Sequence, residues 1–428
     1  MAKKTIKQGI RVMGVLLACW AGVADLPARA DTSDWNWVTS DNLTQPRSFH
    51  SALEVELQGG GRGVMVIGGM TNEKIPTPLH PTDLYDPEIN QWSSGPSLIT
   101  ARAWQTTTAI LPTAGSNRGK VLVTGGFNGN ESIGECELLD PKMEGDPPGF
   151  PALKEARDSH LAVELPDGRV LVAGGEQYVD GRLAGILKSS EVYDPAAPTD
   201  WASTGDLKQR RFHPTAVVLK TGPHQGKVLV VGGFDVVGKY PDARIPALKS
   251  CEVYHPAKDS KKGYWEEVAP LKHPRGMHTL TLLKDGRVLA AGGVNELGGN
   301  AVSYRSYEIY DPRNNKWTCP TDDKGWDRLR QYRSGHTATL LDGNTTLLVS
   351  GYTSEIYDPE KKTWTFTGDT LRESRTGHTA TLLTAGAHKG EVVVAGGLPK
   401  SSEIFQPPST LRHTAIELPG YRKNAEKE

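Results

Sequence analysis

Six times along the chain an arginine is followed three residues later by a histidine: Arg47/His50, Arg157/His160, Arg210/His213, Arg275/His278, Arg333/His336 and Arg375/His378. Imidazoles gathered round one axis could ligate a metal. A metal site, however, wants a few donors in one tight geometry, and a pair that recurs at intervals serves the repeating unit. The set is therefore read as structural, each histidine bonding a neighbouring unit, and no metal is expected. Other chemistry-bearing stretches fare similarly. GSNRGKV at 115–121 and GPHQGKV at 222–228 are one residue short of a phosphate loop, with Val where Ser or Thr would hold magnesium. The Asp-Pro pairs recur from unit to unit and read as turns, not catalytic carboxylates. No catalytic residue and no cofactor is expected.

The histidines mark the start of a longer repeat. A Gly-Gly or Ser-Gly pair ends an apolar run at 68–69, 125–126, 174–175, 232–233, 292–293, 350–351 and 396–397. The mean spacing is about 55 residues, within the range of propeller repeats. After each pair comes YDP or a variant of it (LDP, YHP, FQP), and a Trp closes most units, at 92, 201, 265, 317 and 364. Each unit reads as four strands. HTATLL alternates polar and apolar residues, RVLVAGG is continuously apolar like a strand covered on both faces, SSEVYDP alternates again until proline ends it, and the Trp segment is the fourth. PDGR at 166–169 and KDGR at 284–287 read as two-residue hairpin turns. Such a unit cannot bury both faces alone, but radial stacking does so. The fold expected is all-β: a seven-bladed propeller of four-stranded blades, almost without helix.

The Gly-Gly pairs, the spaced Tyr and Trp and the Arg before the first strand resemble the kelch repeat. The HTATLL…RVLVAGG…SSEVYDP…W wording is similar to its secreted bacterial branch, related to the central propeller of galactose oxidase. The resemblance runs over about residues 35–407. That family's copper site uses two tyrosines, one crosslinked to a cysteine, and two histidines. Tyr254-His255 is the one adjacent Tyr-His counterpart here, but His255 holds the Asp place of YDP, away from the axis. Cys136 and Cys251 share one repeat position before a Glu, and the family's C-terminal sandwich domain has no counterpart. The resemblance therefore implies the fold without the copper chemistry. Ring closure is expected from DWNWVTS at 34–40, a fourth strand lacking its own first three, with LRHTAIEL at 411–418 as the rival and 419–428 as a charged tail.

MAKKTIKQGIR, VMGVLLACWAGVA and LPARA form the basic, apolar and small-residue regions of a secretory signal, with cleavage expected after Ala30 or, alternatively, lipid anchoring at Cys19. Residues 1–30 are thus a leader and 31–418 the propeller, periplasmic, extracellular or on the cell surface. The net charge of −1 becomes about −5 without the leader, which gives no support to nucleic-acid or anionic-membrane binding, since these need a basic face. No further apolar run could span a bilayer, so an integral membrane protein is not expected.

Function should lie where units depart from the repeat. The segments after Gly-Gly are long in the first five units and short in the last two, which implies a rim tall on one side of the channel mouth. Those loops, with the segments before the first strands, supply the candidate ligand-binding residues: Phe49, Arg102, Trp104, Asp158, Tyr178, Arg182, Arg211, Phe212, Tyr240, Arg244, Tyr304, Arg305, Trp326 and Tyr332. Tyr, Trp and Arg are the types enriched at binding hot spots. The expectation is a monomeric binding module for an extracellular or envelope protein; a glycan-binding protein or a sugar-acting enzyme, oxidase or mutarotase-like, is the alternative.

Overall fold

The computed structural model describes residues 35–408 apart from 72–74, 111–118, 144–146, 148, 197–199, 239–242, 258–261, 321–327, 369 and 398. The leader, Tyr240, Trp326, the 411–418 segment and the tail lie outside the described residues. Among the described residues there are seven antiparallel four-stranded sheets, two further two-stranded pairs and no helix. Blade 3 shows the pattern: Leu161–Glu164 pairs with Val170–Ala173, that strand with Ser190–Tyr193, and that in turn with Ala202–Ser203. The first strands of successive blades touch all the way round, the seventh touching the first, so they line the axis. In blade 7 the fourth strand is Asn36–Thr39, paired antiparallel with Ser402–Gln406 through Trp37 opposite Phe405.

The hydrophobic interior is divided among the blade interfaces, with one cluster at each of the seven contacts. In five blades the third-strand Tyr and fourth-strand Trp fill the wedge: Tyr85 and Trp92 lie 5.1 Å apart, Tyr254 and Trp265 5.1 Å, and Tyr357 and Trp364 4.8 Å. The indole N–H then reaches back one blade, from Trp92 to Ser402, Trp265 to Ser190 and Trp37 to Ser354. Where the serine position is Cys136 or Cys251, the indoles of Trp201 and Trp317 donate to the carbonyls of Pro151 and Ala269 instead. Both thiols are buried and unpaired, and burial pushes each up to about 12.

The Asp-Gly hairpins differ from the two-residue expectation. Gly168 N–H donates to Leu165 and Leu165 N–H to Arg169, with Gly168 at φ 86°. This is a type I turn closed by a left-handed glycine, a three-residue loop that absorbs sheet twist through a bulge.

One arginine per blade is wholly buried and paired with a third-strand carboxylate: Arg47–Asp83, Arg102–Glu137, Arg157–Glu191, Arg211–Glu252, Arg275–Glu308, Arg333–Glu355 and Arg375–Glu403. In blade 2 the Arg102 guanidinium also donates to the carbonyls of Gly125 and Glu135, and Glu137 accepts the N–H groups of Ile99 and Thr100. The fork is thus fully used, which is what burying two charges demands. In blade 4 the buried residue is Arg211, not Arg210, so Pro214 takes the histidine place and His213 moves one position toward the mouth. Arg102→Met should cost roughly 3–5 kcal/mol in urea unfolding, because Glu137 is left buried and unpaired. Adding Glu137→Leu should not restore stability, since the N–H groups of Ile99 and Thr100 then lose their acceptor; Arg182→Met on an exposed hairpin should stay within about 0.5 kcal/mol.

Candidate functional site at the channel mouth

The residue before each axial histidine, or its equivalent, turns the chain at the mouth. Phe49, Trp104, Ser159, His213 and Met277 all hold φ between 46° and 55°, and Gly335 and Gly377 hold 57° and 65°. Their backbones form a collar: Phe49 N–H donates to the Gly377 carbonyl, Trp104 to Phe49, Ser159 to Trp104, His213 to Ser159 and Gly335 to Met277. Left-handed φ is costly for residues with Cβ atoms, and the collar repays it with a bond from one blade to the next. Gly377 also makes room, because a Cβ there would meet the Phe49 ring at 3.2 Å.

Beneath the collar the axial histidines bond neighbouring blades. Nε2 of His50, His160, His278, His336 and His378 lies 2.7–3.0 Å from the hydroxyl of Thr379, Thr106, Thr215, Thr279 and Thr337. Gln105 fills the role in blade 2, donating to the Ile67 carbonyl. Burial holds all of these imidazoles below their ordinary range, His278 and His378 down to about 3, and His213 at the mouth to about 4.

Around the mouth stands the rim, and its height is uneven. The segments joining second to third strands are 174–189, 232–250 and 292–306 in blades 3 to 5, but only 351–352 and 396–401 in blades 6 and 7. The tall side is built, not loose. In blade 3, Glu176–Val179 pairs with Arg182–Ile186 across an Asp180-Gly181 turn. Between blades 4 and 5, Ile245–Pro246 pairs with Glu296–Leu297. Ile186, Phe212, Phe234, Ala247, Val294 and Leu297 form a core of their own under these loops.

This construction sorts the candidate residues. Arg182, Arg244 and Tyr332 are exposed, with Arg244 bonded to Glu296 at 2.7 Å. Tyr304 and Arg305 are half-buried: Tyr304 lies over the Arg275 guanidinium at 5.0 Å, and Arg305 over the Tyr332 ring at 5.8 Å. Phe49 and Trp104 are half-buried at the collar and begin an aromatic row with Phe127 and Tyr178, centroids 5.4, 5.9 and 5.6 Å apart. The others sit below the surface. Arg102 and Arg211 are the buried blade arginines, Phe212 belongs to the rim core, and Tyr178 is 7% exposed. Asp158 is buried beside Glu176, with Ser159 Oγ donating to both carboxylates and Ser132 Oγ to Asp158. Burial raises both acids, Asp158 to about 6, and the charge of Asp158 raises Glu176 further. Buried side by side, the two carboxyls oppose each other's ionisation.

The rim also shows residues that composition alone did not single out. Val179, Val237 and Val302, on the loops of blades 3, 4 and 5, are each about half exposed (48%, 57% and 55%). The signal lay in the sequence as one apolar residue near each loop tip.

Fold and mouth together define a seven-bladed β-propeller of four-stranded blades. No family model matches the chain. It is similar to Kelch-like protein 40 of Xenopus tropicalis, 27% identical over 237 residues, covering 54% of this chain and 33% of the relative. It is also similar to Adagio-like protein 3 of Oryza sativa subsp. japonica, 28% identical over 232 residues (49% and 33%), and to Kelch-like protein 41a of Danio rerio, 33% identical over 223 residues (47% and 33%). The chain thus spans about a third of the length of these relatives. Among solved structures, that of YjhT superposes with a TM-score of 0.51 at 14% identity, covering 68% of this chain and 89% of that one, a likeness of fold.

Two pH effects follow, of opposite sign. Six histidines with depressed values give stability that is present above about pH 6.5 and lost as pH falls through about 4 and then about 3. The Asp158–Glu176 pair, with raised values, gives stability that is present at low pH and lost as pH rises through about 6. Six groups outweigh one pair, so the melting temperature should fall on acidification, and His278→Gln, copying blade 2, should flatten that fall. Asp158→Asn should raise the melting temperature more at pH 8 than at pH 5; an equal change at both would show that ionising the pair costs the fold nothing.

Proposed function

We propose that this chain is a binding module that holds a protein partner against the tall side of its rim. One observation carries the reading: three successive loops, tied by strand pairing and a core of their own, present exposed valines beside Arg182, Arg244 and Tyr332. Apolar tips flanked by arginine and tyrosine on a fixed frame suit a protein surface, and a frame ordered beforehand lowers the entropy cost of docking. The kelch-type relatives support an interaction role for the propeller. The basic, apolar and small-residue leader favours a partner in the envelope or outside the cell. The half-buried rings of Phe49 and Trp104, at the collar of blades 1 and 2, are the feature that favours the second reading, a glycan or a sugar-acting enzyme.

The test is capture from native envelope and culture extracts on the immobilised protein. A parallel bait carries Arg182→Glu with Arg244→Glu, and a control carries Arg313→Glu on the opposite face. A discrete protein held by wild type and control, and bound at least about tenfold more weakly by the rim variant, is the expected result. Equal capture by all three baits would overturn the rim assignment. Retention of oligosaccharide without protein would favour the second reading.

A further inference from the structure

On the face opposite the rim, blade 4 breaks the repeat at three places that meet. In blades 1, 2, 3, 5 and 6 an aspartate at the end of the third strand caps the next turn with its carboxylate, as Asp86 accepts the Glu88 N–H and Asp358 the Glu360 N–H. Blade 4 has His255 there, which cannot cap in that way. After the fourth-strand Trp, blades 1, 3, 5 and 6 carry Ser93, Ala202, Thr318 and Thr365; blade 4 carries Glu266. The hairpin between its first and second strands then brings in His224.

Nε2 of His255 is 2.7 Å from Glu266 Oε2, and the rings of His224 and His255 meet edge-on at 5.6 Å. One donor atom from each of the three residues lies within 4.8 Å of the other two. A tetrahedral zinc ion sets its donors roughly 3.3 Å apart at bond lengths of about 2.0–2.1 Å, so modest side-chain rotation closes the gap. The Tyr264 ring stacks on His255 at 4.3 Å and 17°, which fixes the imidazole plane. Lys227 Nζ stands 3.4 Å from His224 Nδ1 and would have to swing away when a cation binds. Beside the trio lies a cavity of about 700 Å³, lined in part by His255, Tyr264, Lys227 and Asp167. It leaves space for water or a further donor at the open position that such a three-ligand site keeps.

We propose that His224, His255 and Glu266 form a binding site for a divalent transition-metal ion of the zinc type on the lower face of blade 4. Two neutral imidazoles and one carboxylate are a donor set such ions accept, while calcium and magnesium prefer all-oxygen sites. The site is separate from the rim and does not depend on the proposed partner. It also departs from the expectation that the chain holds no metal, because the sequence keeps His224 and His255 thirty residues apart and only blade pairing joins them.

The test is zinc titration of tag-free, chelator-treated full chain by calorimetry, with X-ray absorption on the loaded protein. One equivalent should bind, with nitrogen and oxygen scatterers and no sulfur. His255→Ala, Glu266→Gln and His224→Ala should each weaken binding at least about tenfold while the far-ultraviolet circular dichroism stays that of wild type. His388→Ala, which removes the hairpin histidine of blade 7 paired with Glu391, should change nothing. No binding by wild type, sulfur at the ion, or variants that bind as tightly as wild type would overturn the assignment.

Discussion

The buried arginine of each blade is the contact on which the rest of the molecule hangs. Its side chain closes its own blade, binding the third-strand carboxylate and the carbonyl at the end of the second strand, a glycine's in six blades and that of Ser350 in blade 6. Its backbone carbonyl meanwhile accepts the N–H of the last residue of the preceding blade's glycine pair, at all seven interfaces from Gly69 with Arg102 round to Gly397 with Arg47. One residue therefore sets both the shape of a blade and its distance from the next. The glycines are required by that closeness: a Cβ on Gly125 would lie 2.3 Å from the Arg157 carbonyl oxygen. A buried ion pair often adds little net stability; here its geometry fixes where the rim loops begin.

From that fixed starting point the two faces diverge in character. The upper face repeats a backbone collar and varies what stands above it, so a common frame carries unlike walls. Blades 3 to 5 raise paired loops with their own core, and blades 6 and 7 leave the mouth low. The lower face consists mostly of short capped turns, and blade 4 is where a histidine takes the capping place.

Much of this was legible in the sequence, for a physical reason. Seven copies of one unit average out local accident, so strand pattern, glycine pairs and wedge aromatics identify the blade and the number of blades. The candidate site was less legible. Two adjacent arginines at 210–211 allow two registers, and spacing to His213 favours the one that burial rejects. Polar and aromatic residues in long loops can serve a ligand or the loop itself. Phe212 and Tyr178 went to the loop, and Asp158 to hydrogen bonds from Ser132 and Ser159 beside Glu176, because a tall loop must first bury enough to stand. Arg182 and Arg244 remain outward because neither loop core nor blade needs them.

The pairing of Asn36–Thr39 with Ser402–Gln406 also sets an order of events for the folding chain. The tryptophan strand emerges first and has no partner until nearly the whole propeller has been made. Contacts of such long sequence separation form slowly, and an unpaired strand is open to pairing with other chains. The last blade acts as a clasp: six blades can stack on their neighbours as they appear, but the ring has two open edges until the clasp shuts. A chaperone that shields those few early residues would protect the protein at the one time its sheets are exposed to others.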